Sequence, residues 1–565
     1  MFFWSFIAAV LLLALPQGLA WTMGDATLAS TPEQSRELRG HRLKKHRVHP
    51  PTVMSEISSR KVISTDGEVL PPYNTIYFFD QLIDHSNPSL GTFKQRYWHT
   101  WEFYQPGGPI FITTPGEGNA ELEEGFSLTN ATLQGAFAQT NAGATIVLEH
   151  RFFGQSNPFP QMNVQTLAVH NVAQAIEDLA YFAQNVILPM PGGNTDAIRP
   201  HKVPWVLSGG SYSGALTSWT LNKKPGVFWA GYSSSGVIQP IADFWQYFEP
   251  IRLNMPKNCS ADVQRVVQFV DNVVASGNGT AILELAGYFG LANAGSVEAF
   301  LKLSENEISS TRKSLFYQFC DTLEISGSYV ATAAGWGLEN ALLGWATFMK
   351  QSSILGEWTY DSKNPAPDDP DSRHTDISWM WMICNEFGWV QRGSSDLTQL
   401  AISFRQYTLQ DFEYDCRQMF PGAFMSNDLI SRVAATSDTY LGWKTTADRL
   451  FVANGYRDPW LYATHSAPTQ NLQSTDLRPI RVSDGFHCTD LSVMEGGYSE
   501  SVYAIQKEAM QTMNKWIASF TPRAGPVDTT PVVGHPSKNG ARRLFKAGVC
   551  WRSAFISLAL GWLLP

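Results

Sequence analysis

The stretch that decides the fold is VPWVLSGGSYSGALTSW, Val203 to Trp219. An apolar run stops at Gly209-Gly210, Ser211 follows, and ALTSWTLNK after it has helical character. A strand that turns into a helix over so few residues throws the side chain at its corner outward. It also aims the next amide at whatever charge develops there. Small flanking residues are required, because the turn is strained and the helix packs close against its strand. Ser211 has Gly209 two positions before it. Ser213 stands two after it, where Gly would be usual, and Gly214 follows. Were Ser213 at the apex, its small predecessor would be Ser211, a poorer fit. Ser211 is the candidate nucleophile.

A serine hydroxyl needs a base, a carboxylate to orient that base, and donors for the oxyanion. In a sheet of this kind the chain order is Ser, acid, His. Past residue 440 the histidines are His465, His487 and His535. His487 follows PIRVSDG, a strand and a glycine, and is the candidate base. His465 lacks a preceding strand, and His535 lies in a Pro-rich tail. LFVANGYRDPW sets Asp458 just past a strand and turn, which makes it the candidate acid. Asp484 and Asp490 are rivals too close in sequence to His487 to orient its ring well. The loop TTPGEG after the strand GPIFITT offers a second oxyanion donor around Gly116, Glu117 and Gly118, to pair with the Tyr212 amide.

Around this corner, ATIVLEH (144–150) reads as a buried strand and VAQAIEDLAYFAQNV (172–186) as a helix. RLFVANG and RPIRVSDG restore the strand rhythm later, and YSESVYAIQKEAMQTMNKWIASF closes with an amphipathic helix. Between roughly 240 and 435 helical periodicity dominates. The expected class is α/β: a parallel-type core over 71–239 and 436–525, with a helical cap at 240–435 inserted between nucleophile and acid.

The chain has 565 residues, 44% hydrophobic and 16% charged, with a net charge of −9. That composition is globular, and the acidic balance argues against a nucleic-acid partner. Residues 1–20 are uncharged and apolar and read as a signal peptide. Residues 21–70 read as a pro-segment or flexible arm, with six basic residues between Arg36 and Arg47 that fit either a solvated run or a processing site near Lys44-Lys45. Sequons at Asn130, Asn258 and Asn278 fit a secreted glycoprotein. In the tail, 526–565, the apolar run 553–565 follows small residues at Asn539-Gly540-Ala541. This is the pattern of a signal for a GPI lipid anchor near Asn539 and equally that of a docked C-terminal helix. The apolar tail is too short for a transmembrane span. Six cysteines show no metal spacing, so neither metal nor cofactor is expected.

The motifs QLIDHSNPSLGTFKQRYW, TTPGEG, LEHRFFGQSNPF, GGSYSGAL, ICNEFGWVQ, NGYRDPW and GFHCTDL run in order from Gln81 onward. On them the chain resembles the prolyl carboxypeptidase and dipeptidyl peptidase II family of serine peptidases, with fungal secreted serine carboxypeptidases and acid proline-specific endopeptidases nearest. The resemblance covers Gln81 to about Phe520. It implies an α/β-hydrolase fold, the triad Ser211, Asp458 and His487, peptide or protein substrates cleaved after proline, and homodimers in some members. It assigns Trp460, two residues after the acid, to the substrate pocket, and Trp389 to a further wall. Ala215 and Leu491 replace a Met and a Trp of some members, which widens the expected pocket. The resemblance favours a Cys384–Cys416 disulfide and, less directly, Cys259–Cys320, leaving Cys488 free. It leaves open a carboxypeptidase, an endopeptidase and a dipeptidyl aminopeptidase. Glu117 is a candidate for a substrate ammonium and Arg151 for a carboxylate. The rival readings are an esterase on the same fold and a catalytically silent surface protein.

Overall fold

The computed structural model describes residues 60–122, 124–289, 315–351, 370–525 and 532. The expected signal peptide, the basic run with the processing site read in it, and Asn539 and His535 of the tail lie outside the described residues. Among the described residues no helix is long and apolar enough to cross a membrane.

Eight strands form one sheet: β1 (Tyr77–Leu82), β2 (Thr92–Thr100), β3 (Ile110–Thr113), β4 (Ala144–Leu148), β5 (Trp205–Gly210), β6 (Ala230–Ser234), β11 (Leu450–Gly455) and β12 (Ile480–Ser483). Four short strands make two separate ladders. β7 (Ile241–Asp243) pairs β10 (Gly388–Val390), and β8 (Ile325–Ser326) pairs β9 (Tyr329–Val330). The order in the large sheet is β1-β2-β4-β3-β5-β6-β11-β12. Only β2 is reversed, antiparallel to both β1 and β4; β3, β4, β5, β6, β11 and β12 are mutually parallel. This is the α/β-hydrolase sheet.

The central strands are covered on both faces, so they read as continuous apolar runs rather than alternating ones. Ile110, Phe111 and Ile112 of β3 and Val206 and Leu207 of β5 are all fully buried. On one face the helices Leu133–Thr140 and Glu500–Ala518 pack through Phe137, Ile505, Ala509 and Met513 onto Phe111, Val206, Tyr232 and Phe451. The helix Val172–Asn185 is started by Asn171, whose side chain accepts from the Gln174 amide.

The chain divides into two compact units. The larger carries the sheet and includes 367–392 and 407 onward. Of the described residues, those within Arg252–Ala366 and Gly393–Gln406 form the smaller one. The smaller unit is helical, built from Lys257–Ala275, Gly279–Tyr288, Leu315–Glu324 and Leu338–Gln351. Its core sets Phe319 edge-on against Trp345 with ring centroids 5.1 Å apart, and the Cys259–Cys320 disulfide ties the first of these helices to the third. The stretch 240–435 is therefore not one block: its segments 367–392 and 407–435 cluster with the sheet. The Cys384–Cys416 disulfide joins those two segments.

Candidate active site

The site lies where β5, β6, β11 and β12 end. β5 passes into the helix Ser211–Lys223 with Gly210 as its N-cap, and Ser211 itself has φ +57°. A non-glycine residue is rarely held in that left-handed region, and such strain clusters at functional turns. Tyr212 and Ser213 are buried behind it, while Ser211 is half-exposed.

Two loops are laced together beside this corner. β11 ends at Gly455, where an added Cβ would meet the Gly485 and Phe486 carbonyl oxygens at 2.4 and 2.5 Å. Only glycine allows so close an approach. The Tyr456 amide donates to the Ser483 carbonyl at 2.8 Å and the Arg457 amide to that of Gly485 at 3.0 Å. These contacts bring the loops carrying Asp458 and His487 side by side. The Asp458 carboxylate is fully buried, and its Oδ1 accepts from His487 Nδ1 at 2.8 Å and from the Trp460 amide at 2.9 Å. With its Nδ1 proton given to the carboxylate, the ring has its Nε2 lone pair free to act as a base.

The residue after His487 meets the nucleophile turn. Cys488 adopts φ +56°, its amide donates to Ser235 Oγ at 3.0 Å, and its Sγ lies 2.8 Å from where a Cβ on Gly210 would stand. Burial disfavours the His487 cation, but the Asp458 carboxylate together with the Cys488 sulfur outweighs it and holds the imidazole well above its ordinary pKa.

The rival residues are engaged elsewhere. Asp490 is buried and accepts from Tyr232 Oη at 2.6 Å and Ser234 Oγ at 2.8 Å. Asp484 accepts from Ser499 and Ser501. His465 is sealed in the core, where burial pushes it down to about 3. Arg151 does not face a substrate terminus: it is fully buried and paired with Asp178, with further bonds to the Ile83, Val169 and Leu82 carbonyls.

The Gly116 loop comes close to the nucleophile turn. Gly116 has φ +78°, and a Cβ there would stand 2.8 Å from Ser213 Oγ and 3.5 Å from the Tyr212 ring. Glu117, next to it, is half-buried. Aromatic rings surround Trp460: Tyr247 at 5.1 Å, Phe244 and Trp389 each at 5.7 Å, and His487 at 6.3 Å between centroids. Trp389 stacks on Phe387 at 4.4 Å and donates its Nε1–H to the Gln239 carbonyl at 2.8 Å. Phe244, Tyr247 and Phe387 are buried ring neighbours of Trp460 and Trp389 that sequence reasoning missed. The aromatic run DFWQYF (243–248) was the available signal for two of them. Asn130, Asn258 and Asn278 are each half-buried, and the Asn130 amide donates to Gln139 Oε1 at 3.0 Å. Among the described residues no three His, Cys, Asp or Glu side chains gather as a metal site.

A buried carboxylate, an oriented imidazole and a hydroxyl on a strained turn are the parts of a serine hydrolase. Residues 81–509 match the family described as serine carboxypeptidase S28. The chain belongs to that family. It is a serine peptidase. Its relatives include two proteins of Bipolaris victoriae, both 30% identical: serine protease vicPb, covering 81% of this chain and 94% of that one, and serine protease vicPa, covering 78% and 88%. A protein of Arthroderma benhamiae named "Probable extracellular serine carboxypeptidase" is 29% identical over 70% of this chain and 60% of its own length.

Proposed function

We propose that this S28 peptidase is secreted and cleaves peptide bonds after proline through Ser211, His487 and Asp458. The observation that carries the reading is the 2.8 Å bond from His487 Nδ1 to the buried Asp458, beside a serine held at positive φ. In this reading His487 Nε2 takes the Ser211 proton as the hydroxyl attacks the substrate carbonyl. The Tyr212 amide, at the positive end of its helix, and an amide of the Gly116–Gly118 loop receive the oxyanion. Asp458 stabilises the imidazolium, which then protonates the leaving amine and releases it. Water repeats the sequence on the acyl-enzyme.

Proline preference follows from the rings around Trp460. Trp460, half-exposed and backed by the buried rings of Phe244, Tyr247 and Trp389, offers an apolar face to a pyrrolidine, which brings no N–H that such a face would leave unpaired. Two disulfides suit an oxidising compartment, and the relative from Arthroderma benhamiae bears an extracellular name. Because Arg151 is unavailable, a carboxypeptidase mode must find its carboxylate partner elsewhere, and an endopeptidase mode needs none. The test is a peptide library with proline moved along the sequence, digested at pH 4 and pH 7 and read by mass spectrometry. Cuts should follow proline and fall away when it becomes alanine; equal cutting at alanine overturns the specificity.

A further inference from the structure

We infer that Glu149 and His150, neighbours just past β4, are positioning residues that fix the gap between the two oxyanion donors, one gripping each side. The inference rests on the oxyanion site proposed above.

Glu149 grips the loop side. It is fully buried, and its Oε1 accepts from the Ala120 amide at 3.1 Å, three residues beyond Glu117. The same carboxylate takes Arg96 Nε at 2.9 Å and Nη2 at 2.7 Å, and the Ser156 amide and hydroxyl at 3.0 and 2.6 Å. Arg96, also buried, reaches on with Nη2 to Asn119 Oδ1 and with Nη1 to Glu121 Oε2, each at 2.8 Å. So Asn119, Ala120 and Glu121 are all held by one Arg–Glu pair. At the near end Thr113 Oγ1 donates to the Ser208 carbonyl at 2.8 Å, tying the loop's start to β5. Pro115, Gly116 and Gly118 are suspended between these two fixed ends.

His150 grips the helix side. Burial pushes its pKa to about 4, so the ring is neutral. Its Nδ1 lies 2.8 Å from the Arg151 carbonyl, which can only accept. The proton therefore sits on Nδ1, and Nε2 accepts the Tyr212 hydroxyl at 3.0 Å. That bond sets the ring of the residue whose amide faces the oxyanion. A buried ion pair is a poor source of stability, since desolvation cancels most of its attraction. What a planar guanidinium bound at several points does supply is fixed geometry. An oxyanion donor moved out of place costs about 10²–10³ in kcat, so loosening either grip should cost part of that.

The experiment uses the full chain and p-nitrophenyl acetate, a small ester that reaches the nucleophile without filling peptide subsites. Glu149→Gln and Tyr212→Phe should each lower kcat about tenfold or more with KM within about twofold. Combined, they should lose less than the product of the single losses, because both act on one gap. If Glu149→Gln does not fold, Asn119→Ala replaces it with the same expectation. Wild-type kcat in folded Tyr212→Phe and Asn119→Ala overturns the inference, as does a loss confined to KM. Gly116→Ala separates this from the reading beneath it. If Gly116→Ala loses kcat while the other variants keep it, the grip alone is wrong; if Gly116→Ala keeps kcat, the oxyanion site is misplaced.

Discussion

Replacing Asp458 by Asn gives a loss that the hydrogen bonds make calculable. Oδ1 accepts from both His487 Nδ1 and the Trp460 amide, whereas Oδ2 is buried and has no hydrogen-bond partner among the described residues. An asparagine therefore keeps its oxygen at the Oδ1 position, because the reverse orientation would set its NH2 against two donors. The His487 tautomer survives, and what disappears is the negative charge. Two unit charges about 4 Å apart at an effective dielectric near 20 attract by about 4 kcal/mol. That is about three decades of rate if the attraction serves the imidazolium formed during attack. The group left at Oδ2 is a buried donor without an acceptor, costing about 1–3 kcal/mol of stability. The assay is the rate of inactivation by a fluorophosphonate as a function of pH, which needs no knowledge of the substrate. His487 must be neutral to act, so activity falls as pH drops through its raised pKa. Removing the carboxylate removes the main cause of that rise. Asp458→Asn should thus react about 10³ more slowly on the plateau above the wild-type pKa, where the ring is neutral in both proteins, with its acid limb moved to lower pH. Asp458→Ala, which also frees the ring to rotate, should be slower still. An acid limb that stays in place in the asparagine variant, or a loss under about tenfold, would refute the reasoning.

Three further outcomes are expected. Gly210→Ala puts a Cβ 2.8 Å from both Cys488 Sγ and Leu491 Cδ1; it should cut fluorophosphonate labelling more than it lowers the melting temperature, and a purely thermal effect would count against the described approach of the two loops. Reducing the Cys259–Cys320 and Cys384–Cys416 bridges, which close 61 and 32 residues, should each remove roughly 4 kcal/mol of stability, read as a lower denaturation midpoint with dithiothreitol and in Cys→Ser pairs. In the helical unit, burial and the adjacent Asp262 raise Glu324 from 4.5 to about 7, while Arg265 opposes them. A carboxyl raised on folding stabilises fully below its ordinary value and loses that contribution as pH climbs through the folded one. Urea midpoints should therefore fall between pH 5 and pH 8, and Glu324→Gln should flatten that fall; an unchanged slope in the variant assigns it to other groups.

The sheet was legible wherever the chain writes long apolar runs bounded by glycine. WVLSGG, ATIVL, LFVANG and IRVS are strands β5, β4, β11 and β12. The helices Val172–Asn185 and Glu500–Ala518 follow their apolar periodicity closely. Less legible was the antiparallel pair β1 and β2, where YFFDQL and TFKQRYWHT mix charges with rings. Their partly exposed edge strand carries no apolar run. The 240–435 stretch reads uniformly as helix, and nothing local separates helices that pack on the sheet from those that pack on each other. Of the site, the corner and its two partners were marked by turn chemistry. The wall around Trp460 was half hidden, because Phe244 and Tyr247 meet it only through tertiary packing. Arg151 shows the limit of reading charge as exposure: an arginine in a conspicuous motif turns out to be paired with Asp178 inside the core.

The most direct measurement is to label the purified full-length protein with a fluorophosphonate and map the adduct by peptide mass spectrometry. The account predicts a single modified residue, Ser211, with labelling abolished in Ser211→Ala and retained in Ser213→Ala. An adduct on Ser213 or elsewhere, or undiminished labelling of Ser211→Ala, would contradict it.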